Sequence, residues 1–252
     1  MLSLERQNKI MEILKLKKSV RVSELAEKFY ICESTIRRDL IKLEKKGYIN
    51  RSYGGALLLE GLNTEIPLSV REHEQLDGKN EIGKKAAGFV QDGDCMILDS
   101  SSTTFQMIKY LRNRKDLVII TNGLKTAAAA GQELDCRVYC TGGVLRENSS
   151  SLVGYGAEEF IRRRSVQKLF FSCRSVSLSL EAMDVSDEEA ELRKIMIECA
   201  EKAYLLCDHT KLGNSAFNRI CHLSEIGVLI TDISPEPTFA DDLKKSGLEL
   251  LC

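Results

Sequence analysis

The stretch ESTIRRDL, residues 33–40, decides how the N-terminal part of this chain is interpreted. Its apolar residues Ile36 and Leu40 are four positions apart and therefore share one face of a helix. Arg37 and Arg38 then lie on the outer side, near the N-terminus of that helix. The helix macrodipole is positive at this end and disfavours cations there. Two adjacent arginines at this position indicate an anionic partner outside the chain.

Two further amphipathic helices are predicted just before this stretch. Apolar residues recur at helical spacing around Ile10, Val22 and Ile36. The second and third helices are separated by only about three residues, the length of the turn in a helix-turn-helix. The following residues, YINRSYGGALLL, are predicted to form two strands around a turn at Gly54 and Gly55. Together these elements predict a small winged helix-turn-helix.

Charge is unevenly distributed along the chain. The net charge is −1, but residues 1–57 carry 13 Lys and Arg against 7 Asp and Glu, whereas the remainder carries 23 against 30. A basic module on an acidic body indicates that the module alone binds a polyanion. We predict double-stranded DNA, because the N-terminal end of a recognition helix enters the major groove, where arginine reaches guanine edges. The predicted DNA-contacting residues are Ser34, Thr35, Arg37, Arg38, Arg51 and Tyr53.

Composition favours an ordinary globular protein over a secreted or membrane protein. Of the 252 residues, 43% are apolar and 29% are charged. The nine cysteines are odd in number, form no CxxC pair and follow no secretory signal, so we expect reduced thiols in a cytoplasmic protein. No apolar run approaches the roughly 18 residues that span a bilayer, and the three histidines are scattered. We therefore expect no membrane span, no metal and no cofactor.

The rest of the chain alternates helical patterns with short apolar runs. This alternation predicts an α/β domain with a mostly parallel sheet. The runs are CMIL, LVII, RVYC, KLFF, AYLL, GVLI and LELL. A region that breaks the periodicity precedes them, so we divide the chain into a winged helix-turn-helix at residues 1–57, a linker at 58–78 and the α/β domain at 79–252.

Several of the predicted strands end in polar residues. Open α/β sheets bind ligands at the carboxyl ends of their strands. Six such residues, DSSSTT at 99–104, follow CMIL and precede a helical pattern, FQMIKYLRN. Hydroxyls and free amides at a helix N-terminus can hold a phosphate, although the same cluster is equally consistent with a helix cap. Polar loops recur at 121–123, 141–143, 149–151 and 208–211, which favours one polar, phosphorylated ligand held by several loops.

Motifs along the whole chain resemble those of DeoR-type bacterial transcriptional regulators. The N-terminal motifs are ERQNKIMEIL, VSELAEKF and STIRRDLIKLEKKGYINRSYGGA. The later motifs are ILDSSSTT, ITNGL, CTGGVLR, SSLVGYGAEE, DEEAELRKIMI and DHTKLG. The sensor domain of these regulators is similar in fold to ribose-phosphate isomerase, glucosamine-phosphate deaminase and CoA transferases. The resemblance implies a phosphorylated sugar or a related metabolite as effector. We expect a homo-oligomer, a dimer or a tetramer, because two recognition helices must meet successive major grooves. We expect repression of a carbohydrate-metabolism operon, and activation is left open.

Matching these motifs position by position implies a set of effector-binding residues. They are Asp99, Ser100, Ser101, Ser102, Thr103, Thr104, Thr121, Asn122, Gly142, Gly143, Arg146, Ser150 and Lys211. Contacts from Arg174 and Glu188 are left open. Ser101 stands where many relatives have glycine, and Cys173 with Arg174 stands in a loop that is often smaller.

An enzyme with a DNA-binding appendage is the alternative. An aldose-ketose isomerase or a deaminase needs a positioned carboxylate base beside the substrate's acidic carbon. Asp99, Asp184, Asp187 and Glu188 are available, but their spacing singles out no pair. A metabolic enzyme gains no rate from contacting an operator. We therefore predict a DNA-binding transcriptional regulator that is not an enzyme.

Overall fold

A computed structural model of the chain describes residues 2–45, 48–58 and 65–252. The chain divides into two compact units, residues 1–70 and 71–252. The predicted linker at 58–78 contains the described helix α4 (Leu68–Arg71), while residues 59–64 of it lie outside the described part of the chain. The predicted domain boundaries remain predictions.

The first unit is a winged helix-turn-helix, as predicted. Its elements are helix α1 (Ser3–Lys17), strand β1 (Ser19–Arg21), helices α2 (Val22–Phe29) and α3 (Glu33–Lys45), and strands β2 (Ile49–Ser52) and β3 (Gly55–Leu58). Ile10, Leu25, Ile36 and Leu40 from the three helices are buried in one core. The sequence did not predict β1, which pairs antiparallel with β3. A three-residue strand is too short to show a period of two.

The second unit contains the remaining elements. After α4 its helices are α5 (Leu76–Ala87), α6 (Ser102–Phe105), α7 (Leu124–Glu133), α8 (Tyr155–Arg162), α9 (Asp187–Glu198) and α10 (Pro237–Lys245). Its strands are β4 (Cys95–Leu98), β5 (Leu117–Thr121), β6 (Cys136–Cys140), β7 (Val144–Arg146), β8 (Ser151–Val153), β9 (Val166–Phe171), β10 (Ser175–Val176), β11 (Glu181–Asp184), β12 (Ala200–Leu206), β13 (Asn218–His222), β14 (Val228–Ile230) and β15 (Glu249–Leu251).

Seven of these strands form one sheet in the order β15-β14-β12-β9-β4-β5-β6, and every neighbouring pair is parallel. They correspond to the seven apolar runs of the sequence, so the predicted parallel sheet is confirmed. From β4 the chain proceeds outward to β5 and β6, then returns to β9 on the other side of β4. The strand order therefore reverses between β4 and β9, which makes this the topological switch point of the sheet.

Helices cover both faces of the sheet. Ile97 of β4 faces a core shared with α8, α9 and α10. Its neighbours Met96 and Leu98 face a second core shared with α5 and α7. Successive side chains of a strand point to opposite faces, so a strand buried on both sides reads as a continuous apolar run. Of the described helices, none is long and apolar enough to cross a membrane.

The prediction that FQMIKYLRN forms a helix is wrong. Helix α6 ends at Phe105, and a single 3₁₀ turn follows at Ile108–Tyr110. We attribute the break to close packing against α5, since a Cβ placed on Gly83 would lie 2.9 Å from the carbonyl carbon of Gln106. The polar loop at 99–104 is thus followed by one helical turn and not by a long helix.

Candidate functional site

The outer face of α3 carries the predicted DNA-contacting residues. Ser34, Arg37 and Arg38 are exposed at its N-terminal end, while Ile36 is buried beneath them. One guanidinium nitrogen of Arg37 lies 2.6 Å from the Glu33 carboxylate one turn earlier. The structure thus brings the predicted recognition residues together on one solvent-facing surface.

A buried carboxylate, Asp39, holds this helix against α1. It forms an ion pair with Arg6 and accepts a hydrogen bond of 2.9 Å from the Ser3 hydroxyl. Sequence reasoning did not single out Asp39. Its position three residues after Ile36, on the inward side of α3, could have indicated a buried polar contact. A buried carboxylate is stable only when it is paired, so this contact helps to fix the orientation of α3.

The wing contributes the other two predicted DNA-contacting residues. The Arg51 guanidinium lies 2.6 Å from the Glu44 carboxylate, which also accepts a 3.0 Å hydrogen bond from the Arg51 backbone amide. Glu44 belongs to α3, so this pair ties β2 to the helix. Tyr53 is fully exposed at the turn between β2 and β3. The wing therefore presents an aromatic side chain to solvent beside α3.

In the second unit, the carboxyl ends of the parallel strands carry a continuous row of polar groups. Lys211, after β12, donates a 3.0 Å hydrogen bond to the Ser172 hydroxyl after β9. The Ser172 amide donates in turn to the Asp99 carboxylate after β4, at 3.1 Å. The Asn122 amide after β5 lies 3.5 Å from the Ser100 hydroxyl. Strand ends that are far apart in sequence therefore meet at the switch point, where such sheets bind ligands.

Arg193 of α9 is the central cation of this region. Its guanidinium is buried and lies 3.1 Å from Asp99, 3.0 Å from Asp184 and 3.3 Å from Glu189. Burial opposes the charge, but Glu189, Asp184 and Asp99 together raise the pKa of the guanidinium above its ordinary value. Sequence reasoning did not single out Arg193.

Asp99 is bonded to protein groups on several sides. Besides Arg193 and the Ser172 amide, its carboxylate accepts a 3.0 Å hydrogen bond from the Ser101 amide. Asp99 is 1% exposed, so these contacts hold the start of the loop at 99–104 rigidly in place. This geometry gives Asp99 a positioning role.

The hydroxyls of this loop have different environments. The Ser101 hydroxyl accepts a 3.1 Å hydrogen bond from the Thr104 amide and lies 2.7 Å from the Thr104 hydroxyl, which makes Ser101 the N-cap of α6. The Thr103 hydroxyl and the side-chain oxygen Oδ1 of Asn122 are buried, and within the described residues neither has a hydrogen-bond partner. Buried polar atoms normally have partners, so these two are candidates for ligand contact.

A second group of predicted residues lies around the β7–β8 hairpin. Arg146 lies 3.6 Å from Glu189 and 4.0 Å from Glu188. The Ser150 carbonyl accepts a hydrogen bond from the Leu124 amide at 3.1 Å, which joins this hairpin to the loop after β5. Because Glu189 also contacts Arg193, the hairpin is connected to the Asp99 network.

The two predicted glycines precede this hairpin. Gly142 and Gly143 have φ values of +72° and +107°, which residues other than glycine rarely adopt. A Cβ on Gly143 would also lie 2.5 Å from the Val153 carbonyl oxygen. Gly143 is thus required by the close approach of two backbones.

Lys79 is a second cation near the switch point that sequence reasoning missed. Its side chain is buried on α5, and its ammonium donates to the Arg71 carbonyl, which the Ser102 hydroxyl also contacts at 3.4 Å. The spacing of Lys79, three residues before the buried Ile82, was the available signal. Lys79 therefore lies beside the loop at 99–104.

Asp208, after β12, links the two lysines. Its burial opposes ionisation, but Lys211, the Thr210 hydroxyl and Lys79 hold the pKa of its carboxyl below the ordinary value. The Lys211 ammonium is 3.5 Å from this carboxylate. Two ammonium groups therefore lie near the hydroxyl loop, in the crevice that such sheets form at their strand ends, together with the carboxylates of Asp208 and Asp232. The ammonium groups can pair with an anion there.

Models of known families match both units of the chain. The model described as the DeoR-like helix-turn-helix domain matches residues 6–61, and that described as the DeoR C terminal sensor domain matches residues 74–233. The chain belongs to the DeoR family. This DeoR-family chain is 40% identical, over 94% of its own length and 92% of the relative's, to an uncharacterised HTH-type transcriptional regulator, YulB, of Bacillus subtilis.

Two further comparisons cover sugar-related proteins. The DeoR-family chain is 31% identical to the lactose phosphotransferase system repressor of Staphylococcus aureus, over 92% of its length and 93% of the relative's. Among solved structures, ribose 5-phosphate isomerase A from Methanocaldococcus jannaschii matches 55% of this chain and 55% of its own, with 20% identity and a TM-score of 0.41.

Proposed function

We propose that this DeoR-family regulator represses a carbohydrate-metabolism operon and that a phosphorylated sugar bound in the second unit sets its operator affinity. The observation that carries the proposal is the row of polar strand ends at the switch point, where Lys211 and the Asp99 loop are connected through Ser172. A named relative represses a lactose phosphotransferase system, which supports a sugar-linked effector.

The effector phosphate is assigned to the cationic side of the crevice. Lys211 and Lys79 neutralise it, and the amides and hydroxyls of Ser100, Ser102 and Thr103 donate hydrogen bonds to its oxygens. Ser101 and Thr104, which bond to each other, shape the loop, and Asp99 positions it through Arg193. The remaining predicted residues form the sugar-facing side; they are Thr121, Asn122, Gly142, Gly143, Arg146 and Ser150.

Operator DNA is assigned to the first unit. Arg37 and Arg38 read the major groove, with Arg37 exchanging its Glu33 contact for DNA, and Ser34 and Thr35 contact phosphates. Arg51 and Tyr53 contact the backbone or the minor groove from the wing. The regulator acts in the cytoplasm as a homo-oligomer, a dimer or a tetramer, because two recognition helices are needed for two half-sites.

The carboxylate contacts favour regulation over catalysis. An isomerase needs a carboxylate base that is available to abstract a proton. Asp99 and Asp184 both contact the buried Arg193, and Glu188 accepts a 2.8 Å hydrogen bond from the Ser186 hydroxyl. We therefore assign no catalytic residue, metal or cofactor.

Calorimetric titration with phosphorylated sugars tests the effector site. Truncating one partner of a buried charge pair commonly costs about 2 to 5 kcal/mol, so Lys211→Ala is expected to raise the effector Kd about 30-fold or more. Lys202→Ala is the matched control, because Lys202 lies on β12, the strand that precedes Lys211, but is exposed and pairs with Glu249 at 3.8 Å. Equal affinity of the parent protein and Lys211→Ala would refute this placement. Turnover of a sugar phosphate by the parent would contradict the assignment as a regulator without catalytic activity.

A further inference from the structure

Strand β6 is an edge of the seven-stranded sheet, and among the described strands it pairs there with β5 alone. The Thr141 amide donates to the Thr121 carbonyl at 3.1 Å, and the Leu117 amide donates to the Asp135 carbonyl at 3.3 Å. Odd-numbered residues of this segment therefore bond to β5. In a parallel pair the alternate residues direct their backbone groups the other way.

The outward-directed groups belong to Cys136, Val138 and Cys140. Within residues 2–45, 48–58 and 65–252, no backbone hydrogen bond of the sheet or its loops uses these outward groups. Exposed edges are usually protected by charged side chains, above all lysine, by proline or by a β-bulge. The sequence CRVYC contains neither lysine nor proline, and its register with β5 is continuous. Its one charged residue, Arg137, is among those whose backbone groups bond to β5. The edge is therefore open to another strand.

The strand is complementary to a second copy of itself. If two β6 strands run antiparallel about a two-fold axis at Val138, each outward N–H meets an outward C=O of the other copy. This register places Arg137 opposite Tyr139 of the second copy, where a guanidinium can stack on the aromatic ring. It places Cys136 opposite Cys140 of the second copy. No like charges stand directly opposite each other.

Exposed apolar side chains also follow this strand in the sequence. Val144 and Leu145 of β7, which begins four residues after Cys140, are 70% and 50% exposed, and Tyr155 of α8 is 78% exposed. Gly143 and Ala157 are close enough that a Cβ on Gly143 would lie 3.2 Å from that of Ala157, so the start of β7 is next to α8. Contiguous exposed apolar residues of this kind mark protein interfaces.

We propose that β6 pairs with β6 of a second copy around Val138, joining the two seven-stranded sheets into one. We assign a second copy and not another protein, because β6 is complementary to itself about Val138 in its hydrogen-bond donors, its acceptors and its side chains. The inference rests on the proposed function only in requiring a homo-oligomer, and it identifies the surface that forms it.

Light scattering coupled to size-exclusion chromatography of the full chain tests this surface. Val138→Pro removes an outward N–H that β5 does not use, so the monomer keeps its internal sheet hydrogen bonds. Losing the two central hydrogen bonds of the dimer is expected to raise its dissociation constant roughly 5- to 150-fold. Leu250→Pro is the matched control on the opposite edge. Glu249 and Leu251 supply the backbone bonds to the neighbouring strand, so the backbone N–H of Leu250 is directed away from it. This variant should associate like the parent.

A charge pair tests the register without altering the backbone, and it decides the question if Val138→Pro fails to fold. Tyr139→Glu places a carboxylate opposite Arg137 of the second copy, so opposite charges face each other and the dimer should be preserved. Tyr139→Glu combined with Arg137→Glu sets like charges opposite each other and should weaken it. Equal association of these two variants would overturn the register. A monomeric parent would contradict the oligomeric regulator, whereas a parent oligomer unaffected by Val138→Pro and by both glutamate variants would overturn only this surface.

Discussion

Replacing Arg193 with methionine tests how the buried ion network supports the second unit. Methionine keeps most of the side-chain volume but removes the guanidinium that lies 3.0 to 3.3 Å from Asp184, Asp99 and Glu189. Three carboxylates would then remain close together with Arg146 as their nearest compensating cation among the described contacts, 3.6 Å from Glu189. Removing one partner from a buried ion pair leaves an uncompensated charge in a region of low dielectric.

The expected loss of stability is large. Breaking a buried pair costs about 3 to 5 kcal/mol, compared with a total stability of about 5 to 15 kcal/mol for typical proteins. For a unit of this size, each kcal/mol lowers Tm by about 2 to 4 °C, so Arg193→Met should melt roughly 6 to 20 °C below the parent. Because Asp99 also holds the loop at 99–104, effector affinity should fall at temperatures where the variant is still folded.

The adjacent residue of α9 provides the control. Lys194 pairs with Glu191 at 3.2 Å, and both side chains are nearly half exposed. Exposed pairs contribute at most about 1 kcal/mol, so Lys194→Met should melt within a few degrees of the parent. Thermal and urea unfolding followed by circular dichroism would measure both variants. If Arg193→Met is no less stable than Lys194→Met, the network does not support this unit.

Three further perturbations address other parts of the molecule. Arg38→Ala should cost about 1 to 3 kcal/mol of operator affinity if Arg38 contacts a base, or should lower the slope of log affinity against log salt concentration by about one if it contacts a phosphate. Lys9→Ala on α1 should change neither quantity. Anisotropy titrations at several salt concentrations measure both. The lowered pKa of Asp208 contributes stability that is present above the ordinary carboxyl pKa and is lost as the pH falls through the pKa of the folded state. Acid should therefore lower the urea midpoint of Asp208→Asn by less than it lowers that of the parent. Equal losses would contradict this. Gly143→Ala should lower Tm because Gly143 has a φ of +107° and lies against the Val153 carbonyl. Gly131→Ala on α7, where a Cβ would meet no other atom within 4 Å, should raise Tm slightly. Equal shifts of Tm in calorimetry would show that Gly143→Ala introduces no strain.

The sequence predicted the parallel sheet because strands buried on both faces, such as CMIL in β4, must be continuously apolar. The same pattern located the polar strand ends, since a strand that leaves the core ends where polar residues begin. The three-residue β1 and the break after α6 were not predictable in this way. Both depend on partners elsewhere in the chain, namely β3 and the surface of α5 around Gly83.

Buried charged residues were the main omission. Arg193, Lys79 and Asp39 occupy inward-facing positions on their helices, where hydrophobic patterning treats a charge as an interruption. What makes them stable is a partner distant in sequence: Arg193 and Asp99 are separated by 94 positions, and Asp39 and Arg6 by 33. Only the folded topology brings such partners together, so the network behind the effector loop could not be read from local patterns.

Release of operator DNA by a phosphorylated sugar tests the proposed function most directly. Duplexes that the protein selects from genomic fragments would be labelled, and their binding measured by anisotropy while a sugar phosphate or its unphosphorylated counterpart is added. A coupling of about 1 to 3 kcal/mol would change operator affinity roughly 5- to 150-fold with the phosphorylated sugar, and the unphosphorylated sugar should have no effect. If no phosphorylated sugar that binds the protein changes its affinity for DNA, the two sites are not coupled and the proposed regulation is wrong.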